Sequence, residues 1–169
     1  MIRVFGAILI ILGCGGFGFI VLRYKKYEIL ALENFILATE YMICELRYRM
    51  TPLPNLCHAT AAVTKGIVRR IFISLGKVLE LQSSASVSDC IDTVLKENPV
   101  NSDRISTLFL NLGMRLGVFD LDGQIDVLAS LRDEGRRVLK SCRDGYEIQS
   151  RSCGTIALCA GAALAILLI

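Results

Sequence analysis

The chain has 169 residues, 53% of them apolar, with a mean hydropathy of +0.54 and a net charge of only +3. That length suits one domain. The weak charge, the lack of tryptophan and the absence of a basic run with interleaved aromatics speak against a nucleic-acid partner. The seven cysteines (Cys14, Cys44, Cys57, Cys90, Cys142, Cys153 and Cys159) are odd in number and widely spaced, and they form no C-x-x-C pair. Neither a disulfide framework nor a zinc site is expected from that pattern, and free thiols in a reducing compartment fit it better.

The apolar residues gather at the two ends. Residues 4–22, from Val4 to Leu22, carry no charge and are followed at once by Arg23, Lys25 and Lys26. A span needs roughly 20 apolar residues, so a retained N-terminal anchor over residues 1–23 is expected. A cleaved signal would have a shorter apolar region and a small-residue cleavage site. A lipoprotein signal at Cys14 is disfavoured because the apolar run continues through Phe17, Phe19, Ile20, Val21 and Leu22 into the basic cluster. At the other end, residues 152–169 are expected to form a second, rather short span, accommodated by tilting or thinning of the bilayer. Both spans have their basic flanks on the side of the middle segment: Arg23, Lys25 and Lys26 for the first, and Arg136, Arg137, Lys140, Arg143 and Arg151 for the second. The excess of cytoplasmic Lys and Arg found in membrane proteins then puts residues 24–151 in the cytoplasm and both termini outside. Ala157, Gly161 and Ala165 form a small-residue series on the last span, a face that lets helices approach closely in lipid.

The middle reads as helices throughout. A long helix is predicted from Tyr24 to about Arg49, with Ile29, Leu32, Ile36, Thr39, Ile43, Leu46 and Met50 at alternating spacings of three and four. Thr51-Pro52-Leu53-Pro54-Asn55 ends it, since proline cannot continue a helix. A short helix is expected from about Leu56 to Lys65, then another from Ile67 to Leu81 with Val68, Ile71, Phe72, Leu75, Val78 and Leu79 on one face. Residues 82–86 read as a loop. Ser88 is the expected cap of a helix ending near Glu97, and Ser102 of a helix whose apolar face is Ile105, Leu108, Phe109, Leu112 and Leu116. A last helix, capped by Asp120 or Asp122, is predicted from near Gln124 with Leu128, Leu131, Gly135, Val138, Cys142 and Tyr146 as its seam. It is expected to run on into the second span. No segment shows sustained strand alternation, so the fold class is all-α: an antiparallel helical bundle between two transmembrane helices.

No motif of catalysis emerges. There is no phosphate-binding G-x-x-x-x-G-K-[ST] and no G-x-S-x-G. The single histidine, His58, excludes a histidine-based metal pair or relay. The aspartates do not match a calcium loop, and Glu40 and Glu45, five apart on a helix, do not face one another. No catalytic residue, cofactor or metal ligand is expected, and the chain reads as acting through its surfaces.

Two segments resemble the stage III sporulation protein AB family. In the first, Glu45-Leu46-Arg47-Tyr48-Arg49-Met50-Thr51-Pro52-Leu53, the acid Glu45, then Tyr48, and Thr51-Pro52-Leu53 carry the likeness. In the second it is Leu112-Gly113, Leu116-Gly117, Asp120 and Gln124. The layout of anchor, helical domain and terminal span also resembles the family, which is similar to the platform proteins of type II secretion and type IV pilus systems. The resemblance implies an inner-membrane platform of the export-like channel between mother cell and forespore. Its implied partners are a cytoplasmic secretion-type ATPase and other membrane proteins of the channel; a homo-oligomer is compatible with the sequence, which does not fix the oligomeric state. The charged line Glu33, Glu40 and Arg47, with nearby Glu45, is the expected ATPase contact. The competing expectation is a membrane-anchored helical adaptor or signalling scaffold unrelated to secretion, which has no need of the Thr51-Pro52-Leu53 corner.

Overall fold

A computed structural model describes the backbone of residues 2–81, 86–116 and 121–168, and the side chains of residues 23–81, 86–116 and 121–148. Six helices follow in order: α1 (Ile2–Arg49), α2 (Leu53–Val63), α3 (Gly66–Leu81), α4 (Val87–Glu97), α5 (Asp103–Arg115) and α6 (Leu121–Leu168). There is no strand among the described residues. Contacts divide the chain into two compact units, residues 1–29 with 141–169 and residues 30–140.

The first unit holds the opening of α1 and the end of α6. Cys142 is buried there, and a Cβ on Gly145 would lie 3.8 Å from Lys25 Nζ. Among the described residues no helix is long and apolar enough to cross a membrane. The two expected spans, with Ala157, Gly161 and Ala165, lie outside the residues whose side chains are described. The backbone over residues 2–49 and 121–168 is helical without a break.

The second unit is a helical bundle. Its centre is aromatic: Phe109 of α5 meets Phe35 of α1 at a ring-centroid distance of 5.1 Å and Phe72 of α3 at 5.6 Å, both edge to face. Such pairs contribute about 0.5–1.5 kcal/mol each beyond the area they bury. Around them Leu32, Met42, Leu56, Ile71, Leu75, Ile91, Leu108, Leu112, Leu128 and Leu131 are fully enclosed. The entire predicted apolar face of α5 is buried, as are Val68, Ile71, Phe72 and Leu75 of α3. Buried hydroxyls bond back along their own helices: Thr39 to the Ile36 carbonyl at 2.8 Å, Thr60 to Leu56 at 2.7 Å and Thr64 to Thr60 at 2.9 Å. Among the described residues no buried side-chain polar atom lacks a partner.

Glycines set two close approaches. A Cβ on Gly113 would come within 2.9 Å of Ile91 Cδ1 and 3.3 Å of Ser88 Cα, so α5 lies hard against α4. A Cβ on Gly135 would stand 3.2 Å from Ile36 Cγ1, which brings α6 against α1. Polar side chains fix the connections. Asn98 donates to the Val94 carbonyl at 3.1 Å and to Ser74 Oγ at 3.4 Å, tying the end of α4 to α3. The Lys65 backbone N–H donates to Asn34 Oδ1 at 2.8 Å, tying the α2–α3 link to α1.

Several sequence expectations are corrected. The prolines that end α1 also begin α2. Pro52 takes its N-cap position and Pro54 falls in its first turn, where a missing N–H costs nothing, so α2 starts at Leu53 rather than Leu56. Ser86, not Ser88, stands at the N-cap of α4, and neither it nor Ser102 of α5 makes a side-chain capping bond. Asp122 lies inside the first turn of α6, where a negative charge suits the helix N-terminus, rather than capping it. Asp120 is outside the described residues. Met50 does not extend the α1 seam: it has left the helix with φ of 50° and is 70% exposed. The buried face of α1 is also wider than that seam, since Ala31, Phe35, Ala38 and Met42 join it. A helix covered on two sides by neighbours buries more than one stripe.

Candidate partner-binding site

The last turns of α1 and the corner that follows form one hydrogen-bonded unit centred on Glu45. Its side chain points inward and only 9% of the residue is exposed. Tyr41 donates its hydroxyl to Glu45 Oε1 at 2.9 Å, Arg49 Nη1 donates to the same oxygen at 3.4 Å, and Thr51 Oγ1 donates to Oε2 at 3.0 Å. Tyr41 and Arg49 stand four residues either side of Glu45, one helical turn away on the same face. The hydrogen bond to Glu45 is the main reason the Tyr41 hydroxyl titrates above its ordinary range, with burial adding to it. Thr51 precedes proline, which keeps it out of the helical region and swings its hydroxyl back toward Glu45. Met50 sits between them in the left-handed region that a glycine usually fills at a helix C-terminus.

This unit explains Glu45, Thr51, Pro52 and Leu53 as parts of a rigid corner. It gives no internal role to Tyr48, which is 80% exposed, nor to Arg47, which also faces solvent. Further back on α1, Arg136 of α6 donates to Glu40 at 2.5 Å across 96 residues, and Arg136 also approaches Asp133 at 3.8 Å. Asp133 in turn accepts from Arg132 Nε at 3.0 Å, the main reason its carboxyl is held below the usual range. The expected charged line is therefore divided: Glu40 is paired within the bundle, Glu33 is half-buried, Glu45 is turned inward and Arg47 remains outside.

No curated protein sequence matches the chain. The family model described as "Stage III sporulation protein AB" matches it over residues 3–169. The chain belongs to that family. A solved structure, "Stage III sporulation protein AB (SpoIIIAB)", aligns with a TM-score of 0.59 at 16% identity, covering 68% of this chain and 92% of that one. At that identity the likeness is one of fold.

The two segments that resemble the family fall in different settings. Glu45, Thr51, Pro52 and Leu53 build the corner, with Tyr48 on its outer side. Of the second segment, Leu112, Gly113 and Leu116 are buried, Gly113 where α5 meets α4, and Gln124 is half-buried on α6; Gly117 and Asp120 lie outside the described residues. His58 lies 3.1 Å from Glu80 Oε1, with its ring over Gly76, a link between α2 and α3. Cys57 is buried and its thiol is pushed up to about 12 by desolvation, and burial also raises Cys90. Among the described residues no group of three His, Cys, Asp or Glu side chains could hold a metal ion. Sequence reading gave Tyr41 no role, placed Arg49 only at the end of the long helix and in the family segment, and counted Arg136 only among the basic flanks. The bonds of the first two were legible as i±4 partners of Glu45, whereas nothing local marked the pairing of Arg136 with Glu40.

Proposed function

We propose that the chain is a non-enzymatic platform component of the export-like channel between mother cell and forespore, coupling a cytoplasmic secretion-type ATPase to membrane parts of that channel. The full-length match to the stage III sporulation protein AB family carries this reading. In it, residues 1–23 and 152–169 anchor the protein in the inner membrane with both termini outside, and residues 24–151 form the cytoplasmic bundle. The uncharged ends and their basic flanks support that topology.

The ATPase contact is centred on Arg47 and Tyr48, with Glu33 and Glu40 extending it along α1. What supports this choice is that both residues project from a corner whose other members are committed to one another. An exposed aromatic beside an arginine on a rigid support is the composition of an interface hot spot. Reversing Glu40 and Glu45 would disturb the bundle itself, so Tyr48→Ala and Arg47→Glu are the informative variants.

The test is crosslinking of full-length protein in sporulating cells, followed by identification of the partners and co-purification with the ATPase. Wild-type protein should retain the ATPase, less so at high salt, because rim charges act chiefly on encounter and are screened. Tyr48→Ala should lower retention at least about tenfold, as expected of a hot-spot aromatic, with helical content unchanged. Retention unaffected by either variant moves the contact elsewhere; no ATPase among the crosslinked partners of wild-type protein removes the platform mechanism.

A further inference from the structure

Between Glu45 and Glu80 the chain carries Arg47, Arg49, Lys65, Arg69, Arg70 and Lys77 and not one acidic residue. The outward faces of α4, α5 and α6 mix both signs. On α3 the apolar side is taken up by the core, so Arg69, Arg70 and Lys77 are all exposed on its outward side, with Ile73 half-buried among them. Arg69, Ile73 and Lys77 are four apart and form one line, and Arg70 stands beside it.

The bundle leaves these charges unmatched. Among the described residues Lys65, Arg69, Arg70 and Lys77 have no acidic partner, whereas Arg49, Arg132 and Arg136 each meet a carboxylate. The one acid of α3, Glu80, is engaged by His58 of α2 at 3.1 Å. Lys65 and Arg69 are like charges four residues apart, an arrangement that weakens a helix. Together with Arg70 they stand at the N-terminal end of α3, where the helix dipole disfavours a cation. These charges oppose the fold, and their attraction is directed outside the chain.

We propose that the outward face of α3 docks an acidic segment of a partner protein. The two arginines suit carboxylates, because a guanidinium is weakly hydrated and takes both oxygens at once. Lys77 adds a point charge, and Ile73 gives the face an apolar centre. From Arg69 to Lys77 the line runs about 12 Å at 1.5 Å per residue, so the partner carries its carboxylates over about two helical turns. A membrane surface suits this face less well. A helix that lies in lipid frees its apolar side for the acyl chains, and Ile67, Val68, Ile71, Phe72 and Leu75 of α3 are locked in the core. A nucleic acid would find no exposed aromatic here on which a base could stack. The face lies on a different helix from the Arg47–Tyr48 corner, and the proposal does not depend on the ATPase reading.

A carbodiimide joins a lysine amine only to a carboxylate in direct contact with it, so Lys77 reports the chemistry of the partner. With full-length protein in membranes of the cells that produce it, peptide mass spectrometry should find Lys77 in an amide with an aspartate or glutamate of another protein. The adduct should vanish in Lys77→Ala and be unchanged in Lys96→Ala on α4. It should fall at least about tenfold in Arg69→Ala with Arg70→Ala, which removes charge contacts but keeps the reporting lysine. Circular dichroism of the purified variants, all at exposed positions, should show unchanged helical content. A photoreactive benzophenone side chain placed at position 73 should label the same acidic segment. Label found in lipid or nucleic acid, an amide from Lys77 only to carboxylates of this chain, no amide at all, or equal yield without the two arginines would overturn the proposal.

Discussion

Thr51 Oγ1 donates a 3.0 Å hydrogen bond to Glu45 Oε2, joining the residue before the proline corner to the penultimate turn of α1. It closes the turn on a carboxylate that also holds Tyr41 and Arg49. Removing that carboxylate with Glu45→Ala should cost about 1–3 kcal/mol, since hydrogen bonds to a charged group are lost together. Thr51→Val should cost about 1 kcal/mol, the value of one such bond. Urea unfolding followed by circular dichroism gives both numbers, and the double variant should cost less than their sum because the two residues share the interaction.

Met50 occupies the left-handed region at φ of 50° without the freedom of glycine. Met50→Gly should raise stability by roughly 0.5–1 kcal/mol, the cost of that conformation for an L-residue less the added entropy of the unfolded chain. Met50→Ile should lower it, because branching at Cβ aggravates the same clash. The exposure of the Met50 side chain means little packing is lost in either case, so the melting temperatures report the backbone.

Gly113 is required by the distance between α4 and α5. Gly113→Ala puts a methyl group within 2.9 Å of Ile91 Cδ1 and 3.3 Å of the Ser88 backbone. The side chain can yield and the backbone yields less, so a loss of about 1–3 kcal/mol is expected, typical of overpacking. Ile91→Val in the same chain should recover part of it.

The Glu40–Arg136 pair joins residues 96 apart in sequence, with side chains 40% and 55% exposed. At that exposure a coupling of only about 0.2–1 kcal/mol is expected from a double-mutant cycle with Glu40→Gln and Arg136→Gln. The charge swap Glu40→Arg with Arg136→Glu should recover most of what Glu40→Arg alone loses. No recovery would show that the pair contributes through something other than charge.

Thiol reactivity should separate sharply. Cys44 is exposed, whereas Cys57 is buried with its thiol pushed up to about 12. Alkylation of native protein at pH 8, mapped by peptide mass spectrometry, should modify Cys44 faster than Cys57 by at least about a hundredfold, since only an accessible thiolate reacts. Comparable rates would mean that α2 opens readily from the bundle.

The sequence by itself determined that the chain is helical and which stripe of most helices faces inward. The spacing of Ile105, Leu108, Phe109, Leu112 and Leu116 is a property of one helix and can be read within it, and all five are buried. Proline and glycine likewise marked the corners, because their constraints act on the residues beside them. The tertiary structure decided what lies between helices: that Glu45 turns inward to hold the corner, that Glu40 meets Arg136, that Gly113 and Gly135 are points of close approach, and that Leu30, Leu37 and Cys44 are left outside. These follow from which helices end up adjacent, which depends on every other packed face at once. A window of a few turns specifies its own period but not the neighbour that will cover it.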